Sequence, residues 1–157
     1  MFSKSIQKAV RPYLHDSEQL LAAVLAQSAG ANAAMMASAV RGPVGSARAH
    51  AAAYRAQEHA GDAARAVGLG VDRSMVIAVT TRRLLILKAG GAFTVKAKEL
   101  LGEVPITDVE AIDVVPDGRL TQHVTLHVRG AAIGVEAARA QPAEDLPRAL
   151  ERARAVR

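Results

Sequence analysis

Met75-Val76-Ile77-Ala78-Val79-Thr80-Thr81-Arg82-Arg83-Leu84-Leu85-Ile86-Leu87-Lys88 carries the decisive reading of this chain. Met75–Thr80 and Arg83–Lys88 are continuous apolar runs of strand length, parted by two residues, a spacing that suits an antiparallel hairpin. Neither Thr81 nor Arg82 is the Asn or Gly that a tight primed turn prefers, so the turn type stays open. Gly90-Gly91 marks the next turn. Phe93, Val95 and Ala97 then alternate with Thr94, Lys96 and Lys98 as a half-buried strand, and Leu100–Ile106 is extended too, with Pro105 implying an edge or a bend. Val109–Val115 follows, and Pro116-Asp117-Gly118 signals a turn. Leu120–Arg129 alternates most clearly. Leu120, Gln122, Val124, Leu126 and Val128 share one face, and Thr121, His123, Thr125, His127 and Arg129 the other, as in an antiparallel sheet with one wet face. Gly130 turns the chain into a short strand, Ala131–Ala137. After Pro142 comes a helix with the stripe Leu146, Ala149, Leu150, Ala153 and Val156; acids stand at its front (Glu144, Asp145), and Arg148, Arg152, Arg154 and Arg157 follow, as the helix dipole favours.

Upstream of this region, Glu18–Ser28 is the only other segment rich in large aliphatics: Leu20, Leu21, Val24 and Leu25. Its periodicity admits a helix; as a strand it completes a seven-stranded antiparallel barrel capped by the C-terminal helix. Before it, Phe2, Ile6, Val10, Tyr13 and Leu14 fall on one helical face of Met1–His15, and Lys4, Lys8 and Arg11 on the other, with Pro12 ending the helix. Two readings follow. The helix is a surface anchor for anionic lipid, with Phe2, Lys4, Ile6, Lys8 and Arg11 as the contact residues, or it docks its apolar stripe on the domain behind it. The second is preferred, since three bases are few. The chain therefore divides into an N-terminal amphipathic helix, 1–17, and a domain, 18–157, with its core in 18–28 and 75–157 and an Ala-rich insertion at 29–72.

The insertion holds sixteen of the chain's 34 alanines but only Val40, Val44, Val67, Leu69 and Val71 as large aliphatics, too little apolar area for a core of its own. Gly42-Pro43 breaks it, and Ser46–Val67 has the composition of a helix, whether exposed and partly mobile or used for close self-association through Ala47 and Ala51. Gln19–Val40 is uncharged over 22 residues, long enough to span a bilayer, but its alanines and polar residues lack the area that drives insertion.

The local words are similar to those of the bacterial pleckstrin-homology-like and GRAM-like families. Those families carry a strand ending in Thr, a short turn, then Arg followed by aliphatics, here Val79-Thr80-Thr81-Arg82-Arg83-Leu84-Leu85-Ile86. They also carry a Pro-hydrophobic pair before a strand with spaced aliphatics, here Val104-Pro105-Ile106-Thr107-Asp108-Val109-Glu110-Ala111-Ile112. The resemblance covers about 18–28 and 75–157. It implies an α+β fold, an antiparallel seven-stranded barrel capped by a C-terminal helix. The chain departs from the pattern in having Thr81 where Asp or Asn is frequent, no Trp in its last helix, and no Lys or Arg in its first strand. The superfold hosts lipid-binding, peptide-binding and purely structural roles, so it does not settle function.

Several chemistries are excluded. The 157 residues contain no cysteine, hence no disulfide, thiolate metal site or cysteine nucleophile. No phosphate-binding Gly-rich loop or nucleophile elbow is present. His123 and His127 share a strand face but stand roughly 13 Å apart along it, too far to ligate one metal. The chain reads as a non-enzyme without cofactor or metal. Its net charge of +5 is spread over both halves, eight bases against five acids in 1–74 and twelve against ten in 75–157, with only four aromatics for stacking. Nucleic acid is thus not expected as a partner. The most suggestive basic cluster is Arg82, Arg83, Lys88, Lys96 and Lys98, suited to phosphates or an acidic peptide, or else to ordinary edge and turn charge. The leading expectation is a cytoplasmic, non-catalytic module acting peripherally at an anionic membrane surface or on a protein partner; the alternative is a self-associating scaffold built on the Ala-rich helix.

Overall fold

In the computed structural model, residues 3–29, 42–91 and 94–156 are described, without the side chains of 42–50, 53 and 57. Phe2, Phe93 and Arg157 lie outside them, as does the first part of the Ala-rich insertion. The elements are α1 (Lys4–Val10), β1 (Leu20–Ser28), α2 (Gly42–Ala66), β2 (Ser74–Thr80), β3 (Arg83–Gly90), β4 (Lys96–Pro105), β5 (Val109–Asp117), β6 (Thr121–Val128), β7 (Ala131–Ala138) and α3 (Asp145–Ala155). All seven strands form one antiparallel sheet in the order β4-β3-β2-β1-β7-β6-β5. Glu18–Ser28, open to two readings by periodicity, is extended from Leu20 and lies at the centre of the sheet. The two extended stretches on either side of Glu99 are one edge strand, β4, whose pairing with β3 slips twice, at Ile86/Leu87 and Lys88/Ala89.

The continuous apolar runs are explained by covering both faces of their strands. Met75, Ile77, Val79, Leu84 and Ile86 point into the main core with Val24, Leu126, Ile133, Leu146 and Leu150. Val76, Ala78, Leu85 and Leu87 point the other way and are buried as completely, because Ile6 and Val10 of α1 lie on them. β6 has no such cover, and its sequence alternates. α1 starts at Ser3, whose hydroxyl accepts the Ile6 N–H at 3.3 Å. It ends at Val10, earlier than Pro12, because Arg11–Tyr13 tightens into a 3-10 turn.

α2 begins at Gly42 and packs its last turns against the sheet. Ala60, Ala64, Val67 and Leu69 are buried, while Tyr54 is exposed. The insertion as a whole lacks the area for a core, but its end joins the core of the domain. The helix meets β7 and β1, and the turn after it reaches the edge strand β4. Gly102 of β4 approaches this segment so closely that a Cβ there would stand 2.8 Å from the Gly68 carbonyl oxygen and from Leu69 Cα. Arg129 ties the same segment to the far side, donating to the Val67 carbonyl at 3.3 Å and to Asp108 Oδ2 at 2.5 Å. Arg129 and Gly130 both take positive φ, 49° and 80°, and form the two-residue turn between β6 and β7. α3 buries Leu146, Ala149, Leu150 and Ala153; Val156, read as part of that stripe, follows the last turn and is exposed. Arg154 fastens the end of α3 to the carbonyls of Val109 and Glu110, at 2.9 and 2.7 Å.

Ile6→Ala should destabilise the fold by about 2–4 kcal/mol in urea titrations followed by far-UV circular dichroism, since it empties a filled site. A loss below about 0.5 kcal/mol, ordinary for a surface position, would show that α1 does not dock. Gly102→Ala should cost about 1–3 kcal/mol by overpacking against backbone that has nowhere to move.

Candidate functional site

The five cations singled out in the sequence do not form one site. Arg83 is spent inside the fold. Its Nε and Nη2 donate to the two oxygens of Glu18, at 2.9 and 2.7 Å. The Glu18 side chain has no exposed surface and that of Arg83 only 11%. Arg83 also donates to the Tyr13 carbonyl at 2.8 Å and pairs with Glu103. Glu18 further accepts the His15 N–H at 2.9 Å and the Thr80 hydroxyl at 2.6 Å. The Thr80 oxygen accepts the N–H groups of Arg82 and Arg83, at 3.1 and 3.0 Å, and so organises a turn lacking the usual Asn or Gly.

Burial alone would push the Glu18 carboxyl up. The hydrogen bonds from Arg83, Thr80 and His15, with the Arg83 charge, outweigh it and hold the group at about 2. Arg83 is correspondingly raised, first by its hydrogen bond to Glu18.

Lys88 is engaged as well. Its Nζ lies 3.3 Å from Asp72 and 3.6 Å from Glu99, and the Asp72 hydrogen bond and charge raise its pKa. Lys98 lays its chain across Gly90 on the edge strand. That leaves Arg82 and Lys96, which go to different places.

Lys96 joins the cations of α1. Two grooves flank that helix. One, of about 640 Å³, is lined by Lys4, Lys8, Arg11, Leu14 and Gln19 among others. The other, of about 530 Å³, lies between α1 and the start of β4 and includes Lys8, Tyr13 and Lys96. Lys8 borders both, and among the described residues no carboxylate lines either groove and none of Lys4, Lys8, Arg11 and Lys96 has an ion-pair partner. The helix thus presents Lys4, Lys8 and Arg11 outward, while Ile6, a membrane-contact residue in the sequence reading, is 2% exposed against the sheet. Phe2 lies outside the described residues.

Arg82, at the tip of the β2–β3 turn, borders a third groove of about 810 Å³ that reaches the last turn of α3 and includes Arg152. A further cluster escaped the sequence reading. His123 Nε2 lies 2.8 Å from Asp117 Oδ2, and Glu136 faces His123 directly across the β6–β7 ladder, so that ligand atoms of all three fall within 4.8 Å of one another. His127 takes Asp113 in the same manner, at 2.8 Å. Only the cross-strand register reveals these groupings; the spacing of His123 and His127 does not.

No helix among the described residues is long and apolar enough to cross a membrane. No family model and no curated protein matches the chain. Among solved structures, a pleckstrin homology domain from Shewanella amazonensis is similar, with 14% identity over 96% of this chain and 87% of that one and a TM-score of 0.46.

A carboxyl held at about 2 instead of its ordinary 4.5 stabilises the folded chain by about 3 kcal/mol above pH 4.5. That contribution is lost as pH falls from 4.5 through 2, because the unfolded chain takes up the proton first. Glu18→Gln should lower stability at pH 7 by about 2–4 kcal/mol and flatten the acid limb of a stability–pH curve measured by urea titration. An unchanged acid limb would show that Glu18 is not the group responsible.

Proposed function

We propose that this protein is a non-catalytic binding module that adsorbs to an anionic membrane surface through the outer face of α1. The observation that supports this reading is the grouping of Lys4, Lys8, Arg11 and Lys96 around one helix, with no carboxylate among the described residues lining its grooves. Two elements distant in sequence contribute to that face, so the charge is denser than the chain's +5 suggests. The buried stripe of α1 rules out insertion by Ile6 and Val10 while the helix stays docked. Adsorption then rests on charge, at roughly 1 kcal/mol per basic residue near the surface, and is screened by salt.

The protein should co-sediment with phosphatidylcholine vesicles containing phosphatidylglycerol, more at low than at moderate salt, and not with phosphatidylcholine alone. The double variant Lys8→Glu, Lys96→Glu should lose at least about tenfold in partitioning, with unchanged far-UV circular dichroism. Equal binding to neutral vesicles, no binding to either, or full binding by the variant would each refute the reading and favour the self-associating scaffold.

A further inference from the structure

We infer that the groove between the β2–β3 turn and the end of α3 binds an organic phosphate monoester that carries an apolar group. This site goes beyond the membrane-facing reading. It uses a different surface, touching the α1 groove only at Gln19, and soluble ligands can probe it.

The polar wall of the groove holds two guanidinium groups, Arg82 and Arg152, with the hydroxyl-bearing Ser17 and Thr81, and among the described residues no carboxylate. Both arginines are steadied by a neighbour in the groove wall. Arg82 Nη2 donates to Ser17 Oγ at 3.2 Å, and Arg152 Nη2 to the Leu21 carbonyl at 3.1 Å. Each contact uses one of five donors, leaving the rest of each fork for a ligand. A guanidinium held in advance also loses less freedom on binding. Ser17 has φ 66°, a left-handed conformation uncommon outside glycine, and its neighbour Glu18 is clamped by Arg83. The hydroxyl that holds Arg82 thereby adjoins the buried Glu18–Arg83 pair.

Among the described residues neither cation has a counter-charge, an arrangement that suits a dianion. A phosphate monoester carries about −1.5 to −2 near neutral pH and offers three acceptor oxygens in the geometry guanidinium groups match. A carboxylate would leave one positive charge uncompensated. The other wall is apolar. Leu21 and Val156 line it, and Val156 is 73% exposed, so a ligand with a hydrophobic substituent would cover surface now in water.

The chemistry is shared by a lipid headgroup and a soluble phosphate ester, and calorimetric titration of the full chain separates them. The probes are dihexanoyl phosphatidic acid below its micelle concentration, phenyl phosphate, and inorganic phosphate. At least one ester should bind saturably at one site and roughly tenfold more tightly than inorganic phosphate; the tighter of the two names the source. Arg82→Ala and Arg152→Ala should each weaken that binding by about tenfold or more, the loss expected for charged hydrogen bonds. Arg82 stands at an exposed turn, so its variant should keep the wild-type circular dichroism even where loss of the Arg152–Leu21 contact loosens α3. The variant Lys8→Glu, Lys96→Glu should bind the ester as wild type does, which keeps this result separate from the vesicle experiment. Absence of saturable binding, inorganic phosphate binding as tightly as the esters, undiminished binding by Arg82→Ala, or loss of binding in the Lys8→Glu, Lys96→Glu variant would each overturn the assignment.

Discussion

The two-pronged contact between Glu18 and Arg83 is the constraint on which the rest of the molecule depends. It joins the segment entering the central strand to the hairpin that follows β2, and through Glu103 it reaches the edge strand β4. A carboxylate without exposed surface is tolerable only when its lone pairs are filled, and here Arg83, Thr80 and His15 fill them. The same contact fixes the hairpin turn, the 3-10 turn after α1 and the start of β1. The two groups that border the 810 Å³ groove nearest to it, Ser17 and Arg82, each adjoin a member of the pair. Geometry that could serve binding is thus set by residues removed from solvent.

Covering the sheet on both sides has a second consequence. The strands β1, β2 and β3 carry continuous apolar runs because the main core lies on one side and α1 on the other. A seven-residue helix would not be stable alone; it exists because Ile6 and Val10 find a surface prepared for them. Its cations Lys4 and Lys8 then become a fixed part of the surface, where Lys8 meets Lys96 from the start of the sheet's edge strand. The helix is consequently a docked element whose wet face is positive, and the association argued from that face is electrostatic.

Much of this layout was legible in the residues. The runs of residues 75–80 and 84–87 announced a strand hairpin, the alternation of 121–128 a strand with one wet face, and Leu146, Ala149, Leu150 and Ala153 the helix that closes the core. Pro105 does lie on an edge strand, and the apolar stripe of α1 does dock. What periodicity did not carry is informative. Each register slip interrupts the alternation, so the stretches flanking Glu99 looked like two strands when they are one. Alanine has too little side chain to signal burial, so the docking of Ala60 and Ala64 left no mark in the pattern. Of the basic cluster, charge type was readable but engagement was not: Arg83 and Arg82 are neighbours in sequence, yet one is enclosed by two carboxylates and the other stands at a turn tip bordering a groove.

The sequence by itself determined most of the strands, the terminal helices and the absence of cysteine chemistry, because hydrophobic period and residue type are local properties of a chain. Only the tertiary structure decided which charges meet. Glu18 finds Arg83 across 65 residues, Lys8 and Lys96 share a groove, and Arg82 and Arg152 share another. Those partnerships follow from strand register and helix docking, which sum many weak contacts over the whole molecule. No single segment encodes them, and the candidate sites are made of them.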